Sequence, residues 1–152
     1  ASSYKKIDGL LATLGGWLQP VLLLVIRGWV CWSFFLTGKG KLLNLEQPTA
    51  FFTQLGIPAP KLNAILAGSV ECFGGLLLLV GLFSRVASVP LIFTMLVAYA
   101  TAEKEALHAL FSDPDKFTAA TPFPFLLACL IVLAFGPGKL SLDALFNKSA
   151  AK

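Results

Sequence analysis

Residues 62–83 read LNAILAGSVECFGGLLLLVGLF, an apolar stretch interrupted by one charge, Glu71. A helix needs about 20 mainly apolar residues to cross a bilayer. The run is continuous, whereas barrel strands alternate over about 10 residues, so it reads as a helix. Three further stretches have the same character. Residues 17–35 are broken only by Arg27, and residues 86–102 and 117–135 carry no charge. Only Ser84-Arg85 separates the second stretch from the third, so those two helices are antiparallel neighbours. Pro90 falls in the first turn of the third stretch, where a missing N–H costs little, and Pro122 and Pro124 fall early in the fourth. Gly136-Pro137-Gly138 stops the fourth abruptly. The expected fold is all-α, an integral membrane four-helix bundle with short interfacial helices.

Composition agrees. The chain has 152 residues, of which 57% are hydrophobic and 13% charged, against about 25% charged in soluble domains. A chain this short cannot hide that much apolar surface in one aqueous core. Disordered chains are poor in large apolar residues, so disorder is excluded too. The net charge of +4 comes from scattered Lys and Arg with no nucleic-acid motif, so nucleic acid is not an expected partner. The lipid bilayer is.

The flanks divide the chain into an interfacial segment, 1–16, a four-span unit, 17–145, and a flexible tail, 146–152. In the first, Tyr4, Ile7, Leu11 and Leu14 recur at helical spacing, and Gly15-Gly16 breaks the pattern. Pro48 starts a short helix carrying Phe51, Phe52 and Leu55, ended by Gly56. Leu107, Leu110 and Phe111 form a third stripe, closed by Ser112-Asp113-Pro114. Such stripes suit the headgroup level. Lys5, Lys6, Arg85, Lys139, Lys148 and Lys152 share the side of both ends. Lys39, Lys41, Lys61, Lys104 and Lys116 lie opposite, so the bias is six to five. Positive charge stays inside, which gives an N-in/C-in topology, expected in a bacterial inner membrane. The first apolar run reads as a retained span and not a cleaved signal.

Charges inside a span are costly, so Arg27 and Glu71 should face the bundle interior. Arg27 lies about 16 Å from the outer end of its span, measured from Gly38, and Glu71 about 12 Å, measured from Asn63. The two are therefore expected to pair, either as a structural ion pair or as the polar part of a ligand pocket with Lys41 near its mouth. Ala64, Gly68, Cys72 and Gly75 form a stripe of small residues beside Glu71 that permits close helix packing. Cys31, Cys72 and Cys129 sit in apolar runs without a CxxC spacing, so they read as packing thiols, with a redox role as the alternative. His108 has no grouped partners, and no metal site is expected. No nucleotide-binding glycine loop or Ser/His/Asp set is present.

Taken in order, the motifs resemble the DoxX family of small four-helix membrane proteins. Arg27, Phe34, Gly38 and Lys41 fit R-x6-F-x3-G-x2-K. Glu71, Gly74-Gly75, Gly81 and Arg85 fit E-x2-GG…G-x3-R. Residues 136–143 fit GPG-x-x-S-x-D, with Arg85, Gly136, Pro137 and Gly138 as a candidate interface and turn motif. Thr37 departs from the pattern, because many relatives carry His there. The resemblance implies a redox-associated protein linked to quinone-coupled sulfur oxidation or thiol stress complexes. Quinone is the implied cofactor, and other membrane or redox subunits are the implied partners. The alternative is a non-catalytic accessory subunit whose apolar faces and small-residue stripe dock other spans. A transporter is disfavoured, since no inverted repeat is apparent.

Overall fold

The computed structural model describes residues 2–151; Ala1 and Lys152, which entered the terminal segments and the charge comparison, lie outside them. Among the described residues all regular structure is helical. The chain opens with α1 (Ser2–Ile26), a π-turn (Arg27–Cys31) and α2 (Trp32–Leu43), which form one rod of 42 residues. At 1.5 Å per residue the rod is about 63 Å long. The expected break at Gly15-Gly16 is absent: strong helix formers on both sides carry the backbone through two residues that each cost about 1 kcal/mol.

Only part of the rod packs. Leu23 is its first buried residue, and the preceding turns are almost wholly exposed. The partner of the packed part is α4 (Pro60–Val80), 21 residues or about 31 Å. The first span is therefore shifted from the expected 17–35 toward Leu43, because α4 lies against α2 and the π-turn. A tight turn with Gly81 (φ 74°) and Phe83 (φ 49°) in the left-handed region reverses the chain into α5 (Ser84–Thr101). This helix starts earlier than expected, so Pro90 falls in its second turn and not its first.

The last stretch is also corrected. Ala120 is extended (φ −66°, ψ 143°) and divides it into α7 (Pro114–Ala119) and α8 (Pro122–Phe135). Proline at the first helical position gives up an N–H that has no partner there anyway. Asp113-Pro114 therefore opens a helix instead of closing a stripe. Among the described residues, three helices are long and apolar enough to cross a membrane, and α8, at 14 residues, is a shorter apolar helix packed on α5.

Short helices α3 (Glu46–Gln54) and α6 (Lys104–His108) lie with α7 at the end of the bundle away from the α4–α5 turn. Helix α9 (Leu142–Ala150), capped by the Ser141 hydroxyl, occupies most of the expected tail. The core is built from Phe34, Leu78, Leu91, Met95, Tyr99 and Val132. Phe34 meets Phe125 edge-on at 4.6 Å, and Tyr99 stacks on Phe117 at 4.4 Å while its hydroxyl donates to the Phe117 carbonyl at 2.8 Å. Large apolar side chains such as Trp29, Phe73 and Phe93 point outward, as a bilayer requires.

Candidate functional site

Helices α2 and α4 touch backbone to backbone, and small residues allow it. A Cβ on Gly38 would run into the Cys72 backbone, and one on Gly75 would lie 2.8 Å from the Phe35 nitrogen. The predicted stripe of Ala64, Gly68, Cys72 and Gly75 is thus filled from within the chain by α2. Close contact turns Glu71 toward α2. Its carboxylate is buried and accepts hydrogen bonds from Lys41 Nζ at 2.7 Å and 2.8 Å. Thr37, one turn before Lys41, places Oγ1 3.2 Å from Glu71 Oε2 and 3.0 Å from the Phe34 carbonyl, with one proton to donate between them. A charge-assisted pair of this geometry offsets much of the cost of burying the carboxylate.

The cluster sits in the wall of a cavity of about 1130 Å³ between α2 and α4 on one side and α5 and α8 on the other. Phe34, Val70, Met95 and Phe125 provide apolar lining, and α3 contributes Phe51 and Phe52. Leu66 on α4 and Phe93 on α5 also line it and are more than half exposed on the bundle surface, so the cavity opens sideways between those helices. An apolar slot with a few convergent polar groups is the usual form of a small-molecule site.

Arg27 is elsewhere, and the expected Arg27–Glu71 pair is not formed. Gly38 lies against Cys72, which sets Glu71 level with Gly38 and leaves Arg27 eleven residues, or about 16 Å, farther along the rod. Gly38 is level with Cys72 and not with Asn63, so the two span ends do not lie at one depth. The guanidinium is 1% exposed, and all its donors meet carbonyls. Nε donates to Leu78 at 3.0 Å, Nη1 to Leu140 at 3.1 Å and to Pro137, and Nη2 to Leu79 at 3.3 Å and Leu140 at 3.1 Å. The final carbonyls of α4 have no partner within the helix and carry its negative dipole end, which suits a cation.

Around Arg27 the remaining motif residues meet. Gly136 and Gly138 (φ 77° and 87°) shape the turn that presents the Pro137 carbonyl, and Arg85 lies against Gly136. Asp143 was read only as a motif position, yet it caps α5: its carboxylate accepts from Phe83 N at 2.8 Å and Ser84 N at 3.0 Å. Burial raises the pKa of this carboxyl, but the Ser84 and Phe83 hydrogen bonds and the Arg27 charge outweigh it, so Asp143 titrates below the usual carboxylate range.

Thr37 was read only as a departure from a family pattern. Its one-turn spacing from Lys41 was the available signal. The free thiols of Cys31, Cys72 and Cys129 are all buried. Cys31 and Cys129 sit in the apolar core, and the Cys72 backbone packs on Gly38. His108 is exposed at the end of α6.

Three membrane-length helices, lipid-facing apolar surfaces and a lateral cavity with a buried polar cluster define an all-α integral membrane protein. The DoxX family profile matches residues 22–104, which span the packed part of the rod, α4, α5 and the cluster. The chain is 38% identical over 138 residues to "Uncharacterized membrane protein Rv3486" of Mycobacterium tuberculosis (strain ATCC 25618 / H37Rv), covering 86% of this chain and 85% of that one. It is 30% identical over 129 residues to "Inner membrane protein YphA" of Escherichia coli (strain K12), covering 84% and 92%. The chain belongs to the DoxX family. No solved structure matches it.

Proposed function

We propose that the protein binds a quinone or a similar lipid-like amphiphile in the lateral cavity, as a member of a redox complex in a bacterial inner membrane. The observation that carries this reading is the buried Glu71, held by Lys41 and Thr37 in the wall of a cavity that opens toward lipid. The chemistry of the donor set fits a quinone head. Lys41 and Thr37 offer donors to a carbonyl oxygen, and Glu71 offers an acceptor for a hydroxyl or a place to hold a proton at Oε2. A bound quinone supplies two-electron, two-proton carriage. Lys41 orients the head, Thr37 turns its one proton from Glu71 or the Phe34 carbonyl to the head when it binds, and the aromatic lining excludes water. Arg27 is no longer part of the ligand set.

The family resemblance supplies the quinone and the redox partners. The alternative, a non-catalytic accessory subunit, drew on apolar faces and a small-residue stripe to dock other spans; α2 fills the stripe, and the exposed apolar faces still support that reading. The N-in/C-in orientation rests on the Lys and Arg bias, and the inner membrane on that topology and on the name of the Escherichia coli relative. Mass spectrometry of the gently extracted native assembly tests the reading. It is expected to report a co-isolated quinone and companion redox chains. Release of phospholipid alone from a stand-alone protein would contradict it.

A further inference from the structure

From Ser2 to Leu22 the rod stands clear of the bundle, past the rim where Arg27 meets the ends of α4 and α8. Its apolar residues are uncovered: Tyr4, Ile7, Leu11, Leu14 and Leu18, continued by Val25 just past the arm, form a line at spacings of three, four and seven, with Leu10, Trp17 and Val21 beside it, each about half exposed or more. We infer that this arm folds outward at Pro20 and lies on the membrane leaflet at that rim, with the apolar side sunk among the lipids and Lys5 and Lys6 toward the headgroups. The inference stands apart from the ligand reading.

Continuity of surface identifies the occupant. The apolar line runs on through Val25 to Trp29, which is 78% exposed on the lipid-facing side of the bundle. The opposite line runs through Gly9, Thr13, Gly16 and Pro20 to Leu23 and Arg27, which are buried in the bundle. One face of the arm thus extends the lipid belt, and the other extends the bundle side. Pro20 sits on the bundle side. It cannot donate to the Gly16 carbonyl, and its ring crowds that carbonyl, which weakens the helix there and favours a bend away from the bundle side, toward lipid. That bend turns the existing lipid-facing line onto the leaflet. Gly15 and Gly16, about one turn before Pro20, have open space around them, so nothing packs against a bend there. At the far end Lys5 and Lys6 outnumber Asp8, which complements anionic headgroups. A basic helix with an apolar face of this kind settles about 5–10 Å into the headgroup boundary.

The test uses the full chain in vesicles of phosphatidylcholine, with or without about 30% phosphatidylglycerol. Spin labels are placed singly on Ile7→Cys, Leu11→Cys, Gly9→Cys and Thr13→Cys, with the unsubstituted protein setting the background from its buried thiols. Labels at 7 and 11 are expected to favour collision with oxygen severalfold over a water-soluble nickel complex, and labels at 9 and 13 to show the reverse. Phosphatidylglycerol should sharpen the contrast, and Lys5→Glu with Lys6→Glu should abolish that lipid dependence. Pro20→Ala should reduce the contrast at 7 and 11. Equal exposure of all four positions to the nickel complex would overturn the inference, leaving a rod in water. Shielding of 7 and 11 from both reagents, with spin–spin broadening between chains, would also overturn it by showing that a second copy covers the face.

Discussion

Lys41 and Glu71 show how a membrane charge is kept. Glu71 is buried, and removing Lys41 alone would leave a carboxylate without its counter-ion. Lys41→Ala should therefore cost about 3–5 kcal/mol by denaturant unfolding in detergent, somewhat less where the open cavity lets water reach the carboxylate. Replacing both charges, as in Lys41→Met with Glu71→Gln, should restore most of that stability and still lose ligand binding, which separates the two roles. Asp143 gives the pH response. Its folded pKa lies below the unfolded value, so its cap stabilises the fold above the ordinary carboxylate range and is lost as pH falls through the folded pKa. Asp143→Ala should remove about 0.5–2 kcal/mol at neutral pH and flatten the acid limb of stability against pH. The need for each intramembrane charge to find a partner was legible in the sequence. The partners were not: Arg27 bonds only backbone carbonyls, three of its bonds to carbonyls more than a hundred residues away, and any residue type supplies a carbonyl.

Helix ends and contacts carry the next level. The stop at Gly136 was readable because few residues tolerate that backbone position, whereas Gly81 stood out only as a motif position and Pro122 only as a proline early in a longer stretch. The rod was harder. Glycine pairs lower helix propensity, but a run rich in leucine overrides them, so the Gly15-Gly16 break did not appear. The small-residue stripe on α4 was visible, but its occupant depended on the distant Gly38. Two glycines there make a paired prediction. Gly38→Ala drives a Cβ into the Cys72 backbone, which cannot yield, and should cost about 3 kcal/mol or more. Gly74→Ala meets only the Leu91 side chain at 3.1 Å, which can shift, and should cost about 1 kcal/mol. Equal losses in denaturant unfolding would show that the α2–α4 contact is looser than described.

For the whole molecule, membrane placement was legible from composition, because so small a chain has no other solvent for its apolar surface. The division of labour between the two ends was not. One end is a structural lock of Arg27, Asp143 and the 136–138 turn; the other holds the cavity and its polar cluster. With the proposed N-in/C-in orientation, His108→Cys should react with a membrane-impermeant maleimide on intact cells, and Lys139→Cys should react only after permeabilisation. The most direct test of the account is a ubiquinone titration of the protein in nanodiscs, comparing the unsubstituted chain with the Lys41→Met, Glu71→Gln double variant. Saturable binding that weakens at least about tenfold in the variant, a loss of about 1.4 kcal/mol, is the predicted result. Equal affinity in both, or no binding in either, would contradict a ligand site built on Glu71, Lys41 and Thr37.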